Sequence, residues 1–222
     1  APWVWRMINT KAPLQEKLCL FYHQLFATGV AKVDHYDEIE DMIESFREMG
    51  LGKYKDLLMA VAQSPAMVYW LDNHENHADS VNENWGRELL ELFTMGVGNY
   101  TETDVRECSR AFTGWTLKHK LPRFHMGRWD WDYEFRADDH DYGEKTFLGH
   151  TGNFDGEEII DISHPECVRA TGMLEQRESE TRVIHARIRE NAAENWNTVG
   201  WDDAIQHAAD KMLSIRDQYG PE

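Results

Sequence analysis

The sequence predicts a mainly α fold: a helical bundle with a small β-hairpin near residues 123–136 and a C-terminal helix. Three patterns carry that expectation. Apolar residues recur at helical spacing through most of the first 115 positions. One stretch, Trp129 to Arg136, alternates aromatic and charged residues without a break, which marks a half-buried strand. Helical spacing returns at Trp201 to Tyr219 after a polar stretch over 164–200, so a boundary is placed near Ser163, between units 1–162 and 163–222.

Pro13 precedes Leu14, Leu18, Phe21, Tyr22, Leu25 and Phe26, a helix with proline in its first turn and a 3.6-residue apolar repeat. Ile39, Met42, Ile43 and Phe46 mark a second helix, ended by Gly50. Tyr54 to Ala62 forms a third, and Ser64-Pro65 starts a short fourth by the N-cap and proline-at-N1 rule. Asn82 to Gly96 is the fifth. Thr101 with Asp104 three residues on has the form of a capping box and opens a sixth, through Val105, Cys108 and Phe112 to Gly114. Arg123 to Met126, before Gly127, is the expected hairpin partner of the alternating strand, and its aromatic row is expected to face the helical core. Asp138 to Gly156, rich in Gly, Asp and His, reads as an irregular surface loop of the kind that carries function. Gly220-Pro221 stops the last helix.

The Asn82 helix concentrates the candidate chemistry. At about 100° per residue, Trp85, Gly86, Leu89, Leu90, Leu92 and Phe93 share one arc, with Glu83, Asn84, Arg87, Glu88, Glu91 and Thr94 opposite. Glu83, Arg87 and Glu91 follow at four-residue steps, so the guanidinium is expected between two carboxylates. This is either a solvated, ion-paired face or the acidic wall of a cleft. His140-Asp141 is the second candidate, because a carboxylate beside an imidazole sets its tautomer and raises its pKa. His140, Asp141 and His23 are the candidate ligands for a divalent metal ion, although His23, among Phe21, Tyr22, Leu25 and Phe26, is read first as a core histidine. His74 and His77, at i and i+3, can share a metal on a helical turn or simply belong to a polar turn.

Forty acids against twenty-three bases give a net charge of −17, which sets the chain against nucleic-acid backbones and anionic membranes. Cys19, Cys108 and Cys167 encode neither a disulfide framework nor a complete zinc or iron–sulfur site. No apolar run reaches the length of a membrane span, and the first residues do not form a signal peptide. Nucleophile-elbow, P-loop, H-E-x-x-H and dinucleotide-binding patterns are absent from the sequence.

Four segments together resemble the bacterial domain-of-unknown-function 1800 family. They are Leu14 to Thr28, Asn82 to Gly96, Tyr100 to Trp115 and His140 to Gly149, in an order and spacing that fit over residues 1 to 162. The resemblance implies a largely helical fold and an exported or periplasmic protein, and it implies no reaction. Where that family commonly has W-H-x-H, this chain has Tyr22-His23-Gln24-Leu25, so the second histidine of such a pair is missing. The family's opening also lies upstream of Ala1, and the chain is expected to be the middle of a longer protein. Cys167-Val168-Arg169, Thr181 to Ile184 and Asn195 to Glu222 resemble the early part of molybdopterin oxidoreductases such as formate dehydrogenases. On that likeness Cys167 is the last ligand of an iron–sulfur cluster whose other three cysteines are missing.

Three functions follow as expectations. The first is an envelope-associated interaction or assembly module, binding a protein partner through the Asn82 helix polar face and the His140 loop. The second is a hydrolase using Glu83, Glu88 or Glu91 with His140, Arg87 orienting the carboxylates and a divalent ion assisting. The third is a remnant of a molybdopterin oxidoreductase subunit.

Overall fold

The computed structural model describes residues 2–120, 130–166, 186–188, 195 and 197–219. It is mainly α with small two-stranded sheets, and its contacts divide the chain into Ala1–Thr171 and Gly172–Glu222.

The first unit opens with α1 (Pro2–Asn9), α2 (Pro13–Leu25), the single turn α3 (Val30–Val33), α4 (Tyr36–Met49), α5 (Tyr54–Ala62) and α6 (Pro65–Trp70). α2, α4, α5 and α6 are the helices read from the sequence, and proline stands in the first turn of both α2 and α6. Phe26 joins them. Its ring stacks on Phe46 of α4 at 5.8 Å and on Tyr54 of α5 at 6.2 Å, and meets Phe93 edge-on at 4.9 Å. From Phe93 the aromatic contacts continue through Trp85, Phe112 and Trp115 to Tyr133 on the hairpin.

The Asn82 helix is two windings rather than one. α7 (Asn84–Glu88) is α-helical, and Leu89–Thr94 is a π-helix whose ladder runs from Met95 N–H to the Leu90 carbonyl. The wider turn moves later residues off their α-helical arcs. Leu92, expected inside, is exposed, whereas Thr94, expected outside, is buried and donates its hydroxyl to the Leu89 carbonyl at 2.7 Å. Trp85, Leu89, Leu90 and Phe93 are buried as expected. Gly86 marks the crossing with α8 (Glu102–Ala111), since a Cβ there would lie 2.2 Å from Ser109 Oγ and 2.9 Å from the Val105 carbonyl. The Thr101 capping box opens α8 as the sequence predicts, with Asp104 N–H donating to Thr101 Oγ1 at 3.2 Å and Thr101 N–H to Asp104 at 2.9 Å.

The hairpin differs from its expected boundaries. β2 (Asp130–Phe135) pairs antiparallel with β1 (Trp115–Lys120), and the expected partner 123–126 lies outside the described residues. The register sets Trp115 opposite Phe135 and Leu117 opposite Tyr133, so one face gathers Trp115, Leu117, Trp131 and Tyr133 against the helices. A slip of one residue would turn that face to water. Trp131 packs on Tyr69 at 4.6 Å and His35 at 4.0 Å, so this part of the aromatic row faces the helical core.

The stretch read as irregular is largely structured. After a 3-10 turn at Ala137–Asp139, β3 (Lys145–Phe147) and β4 (His150–Gly152) form a hairpin turned by Leu148 and Gly149, both at positive φ. Asp104 holds the strained Leu148 by accepting its N–H at 2.8 Å. A second capping box, Asp155 with Glu158, opens α9 (Gly156–Ser163), and Ile159 and Ile160 bury its inner face. In the second unit β5 (Ala186–Ile188) pairs with β6 (Asn197–Val199), followed by the expected helix α10 (Trp201–Tyr219). Among the described residues no helix is long and apolar enough to cross a membrane.

Candidate functional site

Arg87 lies between two carboxylates, but not the two predicted. Its guanidinium donates to both oxygens of Glu102, at 3.0 and 2.7 Å, and reaches Glu83 at 3.5 Å. Glu91 is turned away by the π-helical winding and accepts instead from the Tyr100 hydroxyl at 3.2 Å. Burial pushes the half-buried Glu88 above the usual carboxylate range, and the charge of Glu91 adds to that shift. An open groove of about 610 Å³ runs beside this face, lined by Glu83, Glu102, Thr103, Arg106, Glu107 and Arg110. His140, Glu88 and Glu91 are not among its lining residues.

His140 is buried, its Nδ1–H donating to the Thr113 carbonyl at 2.8 Å and its ring flanked edge-on by Phe135 and Tyr142. The carbonyl sets the tautomer, a role the sequence reading gave to Asp141. Asp141 turns to Arg110, accepting at 2.7 and 3.3 Å, and this guanidinium holds its carboxyl below the usual carboxylate range. Arg110 also bonds Glu107 at 2.7 Å. The buried Lys145 ties the loop from inside, donating to the Asp141 and Gly143 carbonyls at 2.6 and 3.1 Å. These bonds make the His140 loop a fixed element whose carboxylate is already neutralised by a cation of the chain.

The three metal candidates do not converge. His23 meets Trp3 edge-on at 5.3 Å on α2, its buried Nδ1 has no hydrogen-bond partner among the described residues, and burial lowers its pKa. Among the described residues no group of three or more His, Cys, Asp or Glu side chains is placed to hold a metal ion. His74 and His77 also separate. His74 stacks on Tyr69 at 4.8 Å, whereas His77 Nδ1 pairs with Asp139 at 2.5 Å. Nothing local in the sequence signals the second pair, whose members are 62 positions apart. Cys167 lies outside the described residues.

The feature that the sequence reading missed is at α1. The eight-residue helix P-W-V-W-R-M-I-N is pinned by Trp3, whose Nε1–H donates to Glu16 at 3.0 Å, and by Arg6, which pairs with Glu44. Beneath it, Arg47 of α4 binds both oxygens of the buried Glu16, at 2.7 and 3.0 Å, and Glu44 at 2.6 Å. These hydrogen bonds hold Glu16 below the usual carboxylate range although burial opposes them. Between α1 and α4 runs a groove of about 580 Å³, with Trp3, Ile39 and Ile43 providing apolar surface and Trp5, Tyr36, Glu40 and Glu44 among its other lining residues. Val4, Trp5 and Ile8 remain bare, Trp5 being 68% exposed and Ile8 76%. The available signal was Pro2 followed by apolar residues four apart at Val4 and Ile8.

No curated protein and no solved structure matches the chain. The family model described as Protein of unknown function (DUF1800) matches residues 1–171, the whole of the first unit, and the chain belongs to that family.

Proposed function

We propose that this protein is an interaction or assembly module and that the groove between α1 and α4 is its docking face. The observation that carries the reading is the bare Trp5 of α1, which lines a groove with apolar surface and yet is 68% exposed; Val4 and Ile8 are also exposed on the same helix, outside that lining. Isolated exposed apolar residues are ordinary, but a tryptophan next to an apolar groove is the usual anchor of a protein interface. The candidate catalytic groups support the same reading by their engagement, since Arg87 is held by Glu102 and Glu83, and Asp141 by Arg110. An exported or periplasmic setting, suggested by the family resemblance, belongs to this proposal, and fractionation of source cells tests it.

In-cell cross-linking of wild-type chain beside Trp5→Ala and Glu102→Gln variants tests the reading. Wild type and Glu102→Gln are expected to yield the same adduct, and Trp5→Ala to lose it. Identical adducts from all three chains would remove α1 from the interface.

A second reading rests on Glu88. A half-buried carboxyl of raised pKa beside Glu91, itself bonded to Tyr100, has the form of an acid/base pair, and π-helical turns recur at functional sites. A hydrolase on this pair, with or without a divalent ion, would lose turnover in Glu88→Gln. Ester and glycoside substrate panels that show no turnover by wild type with magnesium, manganese or zinc would dispose of it for those substrates.

A further inference from the structure

Resting on the docking reading above, we propose that the occupant of the α1–α4 groove is a basic amphipathic helix of a partner protein, with large apolar residues on one face and Lys or Arg beside them. The groove selects the apolar face. Its lining includes Trp3, Ile39 and Ile43, and the bare Trp5, also in the lining, stands on α1 for the incoming side chains to pack against. A helix laid between two helices completes a packed layer by the same side-chain interdigitation that joins helices within a domain.

Charge selects the basic flank. α4 carries Glu40 and Glu44 in the groove lining and Asp37, Asp41 and Glu48 at exposed positions outside it. The two cations of the groove are committed, Arg6 to Glu44 and Arg47 to Glu16 and Glu44. Asp37, Glu40, Asp41 and Glu48 have no ion-pair partner among the described residues. A second copy of this chain would bring another net −17 to an acidic rim, and an anionic lipid surface or nucleic acid would be repelled in the same way. Lysines or arginines flanking an apolar stripe meet both demands.

Two synthetic eighteen-residue helical peptides test this with the full chain. Both carry leucines at i, i+3, i+4 and i+7; one has lysines and the other glutamates on the flanks, and binding is read by calorimetry. The lysine peptide is expected to bind at least about tenfold more tightly than the glutamate peptide and to weaken as salt is raised. Trp5→Ala, and separately Glu40→Lys with Asp37→Lys, are each expected to weaken the lysine peptide by about tenfold or more, with unchanged circular dichroism and melting.

Equal binding of both peptides that is lost in Trp5→Ala would overturn the basic class while leaving the groove as a docking face. Unaltered peptide binding in Trp5→Ala, together with unaltered cross-linked adducts, would overturn the docking reading itself. A dimer in solution that Trp5→Ala dissolves would identify the occupant as a second copy and likewise overturn the proposal.

Discussion

Arg47 and Arg87 are built alike and placed differently. Each guanidinium lies between two carboxylates, one three or four residues before it in sequence and one on another helix: Glu44 and Glu16 for Arg47, Glu83 and Glu102 for Arg87. The Arg47 and Glu16 side chains are only 9% and 5% exposed, whereas Arg87 and Glu102 are 37% and 75% exposed. The same three-charge motif therefore does two kinds of work. Around Arg47 it lets α2 and α4 close over the buried Glu16 and most of the guanidinium, with only Glu44 partly open to water, so Glu16 and Arg47 depend on each other. Around Arg87 water solvates whatever the protein does not, and the bonds set the position of α8's first turn without governing the stability of the fold.

The largest expected consequence is at Glu16. Glu16→Gln leaves Arg47 buried with only Glu44 to neutralise it and weakens the hold on Trp3, so unfolding free energy is expected to fall by about 3–5 kcal/mol. Urea denaturation followed by circular dichroism measures it, as a lower midpoint at unchanged slope. A fall no larger than that of an exposed pair would erase the distinction between the two arginines. The pH dependence has a fixed sign. Arg47 depresses the folded-state pKa of Glu16 below its unfolded value, so its contribution is fully present above the unfolded value near 4.5 and is lost as pH drops through the folded value. Acid titration of wild type and Glu16→Gln should show the two stabilities starting to converge below pH 4.5 and meeting only once pH has fallen through the depressed folded-state value at which wild type protonates Glu16.

Arg110 stands between the two cases. Its side chain and that of Asp141 are partly buried, and Asp141→Asn replaces two charge-assisted bonds with one neutral acceptor. A loss of about 1.5–3 kcal/mol is expected, with amide exchange rising first in the loop around His140. An effect equal to that of Glu16→Gln would mean that connectivity, rather than burial, sets the value of these motifs.

Glu88 reverses the sign. Its pKa is raised by burial and by Glu91, so the charged form is disfavoured in the fold, and stability that is fully present below the unfolded value near 4.5 is lost as pH rises through the folded value. Glu88→Gln is therefore expected to be modestly more stable than wild type at pH 7, with the gain disappearing at pH 4. Thermal melts at the two pH values check it, and a destabilised variant at pH 7 would indicate a partner for the charged carboxylate.

What could be read from the sequence follows the range of the interactions. Proline at the first turns of α2 and α6, the Thr101–Asp104 box and the repeats of α4 and α5 act within a turn or two, and each names its helix correctly. The Asp155–Glu158 box before Ile159 and Ile160 is the same local signal for α9, set against a glycine-rich approach that suggested a loop. The strand pairing of Trp115–Lys120 with Asp130–Phe135 depends on which register buries an aromatic face, and the π-helical turn after Glu88 depends on packing of Leu89, Leu90 and Phe93; neither has a local rule. The candidate site suffered most, because its partners are distant. The four-residue spacing finds Glu83 beside Arg87 but cannot find Glu102, and adjacency pairs His140 with Asp141 where the fold pairs Asp141 with Arg110 and His77 with Asp139.

The smallest expected effect is the sharpest test of the difference between Arg47 and Arg87. Glu102→Gln removes the charge that receives two hydrogen bonds from Arg87 and raises the pKa of that guanidinium, the strongest contact on this face by distance. Contact length would rank this bond with Glu16–Arg47, where the shorter N···O distance is also 2.7 Å. Exposure ranks it last, because water and Glu83 are both available to the freed guanidinium and salt already screens the pair. The urea midpoint is therefore expected to stay within experimental error of wild type at 150 mM salt and to shift slightly only at low ionic strength. A loss approaching that of Glu16→Gln would show that α8 leans on Arg87 as α2 leans on Arg47, and the exposed face of the Asn82 helix would then be a structural seam rather than a solvated one.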